Sequence, residues 1–359
     1  MQSTNNAYVR YVKSIAIGTV MSVCGLQPLI AQTAIPEAGF PEANSVESQA
    51  RHTWRKAMSD NPASTEGCFH ATYPSLVWES VACGVGELRV RPTARTSPDG
   101  MAPTPDVIGT PPESGGDYAL QANGLITAAE GLFATKNVTS EKGVGVAAYG
   151  GSGILGPNEF TLQLNSNRNR TTSACQGHSG CTVWQQYLYG PDQFKTGQAG
   201  VFIQYWLLGW GTKACPAGWG KSTNSCYRNS AHAIAPDLKI TDLENMALVG
   251  KAAAGGNDVV TFYNGTEAYS VTAKDTVLDL GTVWHQAEFN VVGNAGGSRA
   301  DFNSGASIFV VLEVNDGSTA VPTCLIGGGS TGESNNLYLD PCLPTHFDSN
   351  PAIEFIEFN

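Results

Sequence analysis

From Asp117 to about Val321 the chain runs in short apolar stretches of period two, separated by Gly, Asn and Ser turns. That period belongs to strands with two unlike faces; a helix repeats its apolar positions every three to four residues. The stretches fall at 118–127, 130–138, 143–149, 159–165, 182–189, 201–208, 237–240, 246–253, 257–263, 267–272, 282–292 and 306–314. No helical period is sustained among them, and no repeat of fixed length links them. Many short strands bury their apolar faces against one another, which predicts an all-β, two-sheet sandwich or a barrel.

Four of these strands carry an amide or carboxylate among aromatics: FTLQLN (160–165), TVWQQYLY (182–189), VFIQYWLL (201–208) and VWHQAEFNVV (283–292). Burying a polar side chain is unfavourable unless it is paired. Gln163, Gln185, Gln204 and Glu288 therefore point to a sheet face that opens into a cleft. Residues two apart share a face. Trp284, Gln286, Glu288 and Asn290 fall together, as do Thr161, Gln163 and Asn165, and Phe202, Gln204, Trp206 and Leu208. On 182–189 two sets compete, Gln185, Tyr187 and Tyr189 or Trp184, Gln186 and Leu188; the first has more polar tips and is preferred. The resulting trough of amides, rings and one carboxylate suits three roles. It can be a hydrolytic site, a lectin-like site, or the polar interior of a sandwich.

Outside that region the chain changes character. Arg10 and Lys13 flank an interrupted apolar run from Ser14 to Ile30, with small residues Ala31 and Ala34 beyond it, the pattern of a secretory signal over 1–34. The run is too broken by Gly18, Gly25 and Pro28 to span a membrane, and no later segment is long enough. Removing it removes Cys24 and leaves Cys68, Cys83, Cys175, Cys181, Cys215, Cys226, Cys324 and Cys342. An even count behind a signal reads as disulfides in an extracellular or periplasmic compartment, the simplest pairing being four local loops: 68–83, 175–181, 215–226 and 324–342. No CxxC or suitably spaced His supports zinc, so no metal and no cofactor are expected. Residues 35–116 read as a polar segment with a loose helix around His52 to Met58, a small Cys68/Cys83 unit and a Pro-rich linker from 92. Together they make a possible propeptide. The sandwich domain is expected over 117–320 and a disulfide-pinned tail over 321–359. With 20 basic against 31 acidic residues and a net charge of −11, the chain is no nucleic-acid binder and suits an acidic medium. It is expected to act as a monomer.

Several motifs match in letters only. Gly151, Gly153 and Gly156 spell GxGxxG, but a strand-like run follows where a dinucleotide site needs a helix. Gly328 to Gly332 spell GxSxG, with Asp340 and His346 downstream, but no helix follows Ser330. The stretch Gly293–Asp301 offers one carboxylate where calcium wants several oxygens. His285 has the wrong parity to join Glu288.

The strand order resembles that of the glutamic peptidases, the eqolisin family. Asp117-Tyr-Ala-Leu with Gly124-Leu-Ile-Thr-Ala-Ala-Glu-Gly-Leu-Phe resembles the family's opening strands, and FTLQLNSN stands where the family has a tryptophan-bearing strand. TVWQQ is similar to the strand bearing the catalytic Gln, and Ala287-Glu288-Phe289 to the Ala-Glu-aromatic motif. The likeness covers roughly 117–314. It implies a concanavalin A-like (jelly-roll type) sandwich that cleaves peptide bonds in acid without a metal. Glu288 would activate a water and Gln185 would steady the oxyanion. Gln163, Gln204, Gln286, Trp206 and Tyr187 would bind a peptide, or, in a non-catalytic relative, a glycan. The family's motif continues to a second Glu four residues on; here that position is Val292.

Overall fold

The back sheet starts from an edge the sequence left outside the sandwich. In the computed structural model, which describes residues 46–84, 104–105, 117–145, 153–294, 296–326 and 331–359, Gly67–Thr72 pairs along its whole length with Glu267–Thr272. The Cys68/Cys83 stretch is thus an edge of the back sheet and no separate unit. From that edge the order continues through Glu267–Lys274, Asn257–Asn264, Met246–Ala252, Ala128–Lys136, Ser307–Asn315, Asn350–Phe358 and Tyr338–Leu339. The front sheet runs Gly220–Ser222, Ser225–Ala235, Gln198–Leu208, Thr182–Lys195, Phe160–Ser166, Gln286–Gly293, Tyr118–Gln121, Thr323–Ile326 and Thr104–Pro105. Pairing in both of these sheets is antiparallel, and a small third sheet joins Ser334–Asn335, Ser298–Phe302, Glu141–Gly145 and Gly156–Pro157, so the all-β expectation holds with two main sheets. The signal segment, most of the Pro-rich linker, Gly151 and Ser330 lie outside the described residues.

The inner faces meet through large apolar side chains. Tyr189 stacks on Phe262 with ring centroids 3.9 Å apart, and Phe289 lies 4.7 Å from Phe133. Leu162, Leu164, Val183, Ile203 and Leu207 complete the front contribution; Leu248, Val260, Val310 and Leu312 supply the back. Two glycines permit this approach. A Cβ at Gly131 would come within 2.2 Å of the Phe289 ring, and one at Gly250 within 2.5 Å of Tyr187.

The helix expected around His52 to Met58 runs Val46–Asp60. Trp54 and Met58 on its apolar stripe cover Leu132, Ala247, Val249, Tyr263 and Val311 on the outer face of the back sheet. Trp54 Nε1 donates to Ser75 O (2.7 Å), which ties the helix to the loop beyond the first strand. All four local disulfides form: 68–83, 175–181, 215–226 and 324–342. Among the described residues, no helix is long and apolar enough to cross a membrane.

Buried carboxyl groups give the fold a pH preference. Burial pushes Glu141, Glu159, Glu313 and Glu357 up to about 8 and Asp237 to about 6. Asp316 runs the other way: burial opposes its charge, but hydrogen bonds from Ser318, Gly124 and Asn123 hold it low. A carboxyl raised in the folded state keeps its proton after the unfolded chain has lost its own. From about 4.5 to 8 the folded state binds more protons, so its stability declines as pH rises. Thermal unfolding is expected at a higher midpoint at pH 4.5 than at about pH 8; a midpoint that climbs with pH would contradict it. Gly250→Ala is expected to cost about 1–3 kcal/mol by driving a methyl into the Tyr187 ring, readable from denaturant midpoints.

Candidate functional site: a polar row on the outer face of the front sheet

Directly opposite residues on paired strands share a face. Register places Glu288 opposite Asn165, Asn165 opposite Gln186, Gln186 opposite Gln204 and Gln204 opposite Asn229. Five polar side chains thus line up across five neighbouring strands, on the face turned away from the back sheet. On one side of the row Trp184, Trp206 and Tyr227 stand opposite one another. On the other side come Gln163, Leu188, Phe202 and His232. The alternate positions of the same strands face the back sheet and are mostly apolar.

The row is joined by hydrogen bonds. Gln186 Nε2 donates to Gln163 Oε1 (3.0 Å), and Gln186 Oε1 accepts from Trp206 Nε1 (3.1 Å). Trp206 Nε1 also donates to Gln204 Oε1 (2.8 Å), and Gln204 Nε2 to Asn229 Oδ1 (2.8 Å). Asn165 Nδ2 donates to Glu288 Oε2 (3.3 Å). Asn290 is committed elsewhere, donating to Asp117 and to Glu357 Oε1 (2.9 Å). The face is buried: Glu288 is 4% exposed and Gln163 1%. Among the described residues, three polar atoms on it, Gln163 Nε2, Asn165 Oδ1 and Trp184 Nε1, have no hydrogen-bond partner. An unpaired buried polar atom carries a penalty of about 1–3 kcal/mol. Gln186 holds the carbonyl end of Gln163 and so turns its amide nitrogen away from the network.

Of the residues the sequence singled out, Gln163, Gln204, Trp206 and Glu288 come together on this face. Gln286 lies at its margin, donating to Gln121 Oε1 (2.7 Å). Gln185 and Tyr187 do not join them, which corrects the preferred parity. Gln185 points between the sheets, donating to Asp258 Oδ2 (3.0 Å) on the back sheet and to Tyr187 Oη (3.0 Å). The physical reason is bulk. Tyr187 and Tyr189 fill the interior with their rings and bring their hydroxyls to Lys251 O and Pro236 O (both 2.9 Å), so their polar tips are satisfied inside. Trp284 is likewise interior, 5.6 Å from the Tyr187 ring. Gln186 thus takes the place in the row expected of Gln185. Asn229 was missed because its strand, Ser225–Ala235, has too few apolar residues to stand out.

The remaining motifs settle into structural roles. Gly156–Pro157 is a short strand with no helix after it. His346 bonds Thr319 O (2.7 Å) and His285 bonds Gly124 O (3.2 Å). Asp301 is held by Arg299, Nε to Oδ1 at 2.5 Å and Nη2 to Oδ2 at 3.0 Å.

No protein-family model and no curated protein matches the chain. Two solved structures are similar at the level of the fold. SCP-B, a member of the eqolisin family of peptidases in complex with the tripeptide Ala-Ile-His, has 10% identity and a TM-score of 0.26, over 68% of this chain and 98% of that one. The κ-carrageenase from Pseudoalteromonas carrageenovora, in complex with an oligotetrasaccharide of κ-carrageenan, has 7% identity and a TM-score of 0.25, over 67% and 66%. Both likenesses are remote.

The hydrogen-bonded row carries its own test. Gln186→Leu strands Gln163 Oε1 and removes one of two acceptors from Trp206. It is expected to lower stability by about 1–3 kcal/mol in denaturant unfolding. Unchanged stability would mean that the row is not joined through Gln186.

Proposed function

We propose that this protein is a secreted hydrolase that cleaves peptide bonds in acid, with Glu288 and Gln163 as the reacting pair. The observation that carries this reading is the unpartnered Nε2 of Gln163, its orientation locked by Gln186, on the same face as the Glu288 carboxylate. The two residues sit on adjacent strands in diagonal register, roughly 7–8 Å apart at the backbone, which leaves room for a scissile peptide group between their side chains. Gln163 thereby takes the part first expected of Gln185.

In the proposed reaction Glu288 accepts a proton from a water whose oxygen attacks the scissile carbonyl carbon. The carbonyl electrons move onto its oxygen, where Gln163 Nε2–H donates to the developing negative charge. Collapse of the tetrahedral species breaks the C–N bond, and the proton held by Glu288 passes to the leaving amine. Asn165 steadies the Glu288 carboxylate through Nδ2 and offers its unpartnered Oδ1 to a substrate N–H. Gln204 and Trp206 extend the binding surface along the row. The four disulfides and the signal-like N-terminus support secretion. The preference of the fold for acid supports the working pH.

A second reading is a peptide- or glycan-binding sandwich without catalysis. The observation in its favour is the row of Trp184, Trp206 and Tyr227 beside the amides, with the Trp184 indole nitrogen buried and unpartnered. Val292, in place of a second carboxylate, points the same way.

Cleavage of a denatured protein substrate from acid to neutral pH separates the two, run before and after acid preincubation because the row must open to admit substrate. The wild type is expected to cut in acid and to ignore EDTA. Glu288→Gln should abolish cleavage, Gln163→Ala should lose about 10²–10³ in kcat, and Gln185→Ala should retain kcat at temperatures where it stays folded. Absence of cleavage at every pH sinks the hydrolase reading. Glycan or peptide binding that disappears in Trp206→Ala would then establish the second.

A further inference from the structure

The inner face of the front sheet has a polar row of its own. Gln185, Tyr205 and Arg228 stand opposite one another on three neighbouring strands. The row runs outward: Gln185 and Tyr205 are buried, while Arg228 is exposed at the rim. Among the described residues, Gln185 Oε1 and Tyr205 Oη are both buried without a hydrogen-bond partner. Interior positions of a sandwich are normally apolar, so an orphaned amide oxygen and an orphaned hydroxyl side by side need a reason.

A cavity of about 500 Å³ lined by Tyr205 opens between the front sheet and the Glu267–Lys274 strand of the back sheet. That volume falls in the range of small-molecule sites. Tyr205, Trp219, Arg228, Thr272, Lys274 and Glu66 line it. Among the described residues, the Arg228 guanidinium has no hydrogen bond or ion pair. Lys274 Nζ lies 3.6 Å from Glu66 and donates to Asn257 Oδ1 at 3.3 Å. Two cations therefore face one carboxylate at the mouth, in a chain whose net charge is −11.

We propose that this inter-sheet cavity binds a uronate-type sugar, a hydroxylated ring bearing one carboxylate. Arg228 offers its planar fork to the carboxylate, and Lys274 adds a second positive charge. Tyr205 Oη, able to donate or accept, takes a ring hydroxyl. Trp219, half-buried in the wall, packs its face on the sugar ring. A neutral sugar leaves Arg228 unmatched, and a simple carboxylate leaves Tyr205 unmatched, so the lining calls for both features in one ligand. The cavity lies on the opposite side of the front sheet from Glu288 and stands independently of the function proposed for that face.

Calorimetric titration and thermal shift of the intact, disulfide-bonded protein test the proposal with glucuronate, using glucose and acetate as controls. Glucuronate is expected to bind and to raise the unfolding midpoint, with both controls at least about tenfold weaker. Arg228→Gln, at an exposed position that leaves folding intact, is expected to weaken glucuronate about tenfold or more. Tyr205→Phe should weaken it several-fold without lowering the unfolding midpoint, because the hydroxyl it removes has no partner. No binding up to about 10 mM glucuronate would overturn the proposal, as would equal binding of glucose or unchanged affinity in Arg228→Gln.

Discussion

Stacking between the two sheets decides what every front strand can present to its outer side. Tyr189 on Phe262 and Phe289 beside Phe133 are contacts between rings too large to sit anywhere but the interior. They require glycine at 131, where even a methyl group would collide with the Phe289 ring. Once those rings are inside, strand geometry leaves no freedom. Each neighbour in sequence must turn outward, and each residue two away must turn in.

That constraint separates Gln185 from Gln186. The two amides are adjacent in sequence and chemically identical, yet one faces Asp258 inside the sandwich and the other bonds Gln163 and Trp206 outside it. The front sheet therefore carries two polar rows on opposite faces. The outer row is continuous and hydrogen-bonded from Gln163 to Asn229. The inner row climbs from a buried amide to an exposed guanidinium at the mouth of a cavity. Buried carboxyl groups add a third property: Glu141, Glu159, Glu313 and Glu357 keep their protons well above the usual range, so the same packing that builds the rows favours acid.

Much of the architecture was legible beforehand, for physical reasons. Period-two runs announced an all-β chain because alternation is the direct mark of a half-buried strand. The four disulfides followed from spacing, since each joins cysteines no more than 18 residues apart across a local loop. Glu288, Gln163, Gln204 and Trp206 were recognised as sharing a face because parity within one strand needs no tertiary information. The edge strand Gly67–Thr72 was harder to see. Its partner, Glu267–Thr272, lies far along the chain, and nothing local signals a pairing over that separation. Ser225–Ala235 was missed for a different reason: its alternation is diluted by Arg228, Asn229 and Ser230.

What the sequence determined by itself was the kind of structure and the list of polar residues inside it: strands, turns, local disulfides and a set of amides that needed partners. Tertiary structure alone decided which way the strand Thr182–Lys195 faces. Tyrosine is both a large apolar ring and a polar tip, so parity at Tyr187 and Tyr189 reads equally well as cleft or core until a partner sheet is present. Phe262, Lys251 and Pro236 supply that partner, satisfying ring and hydroxyl together. Their presence sends Gln185 inward and leaves Gln186 to hold the outer row.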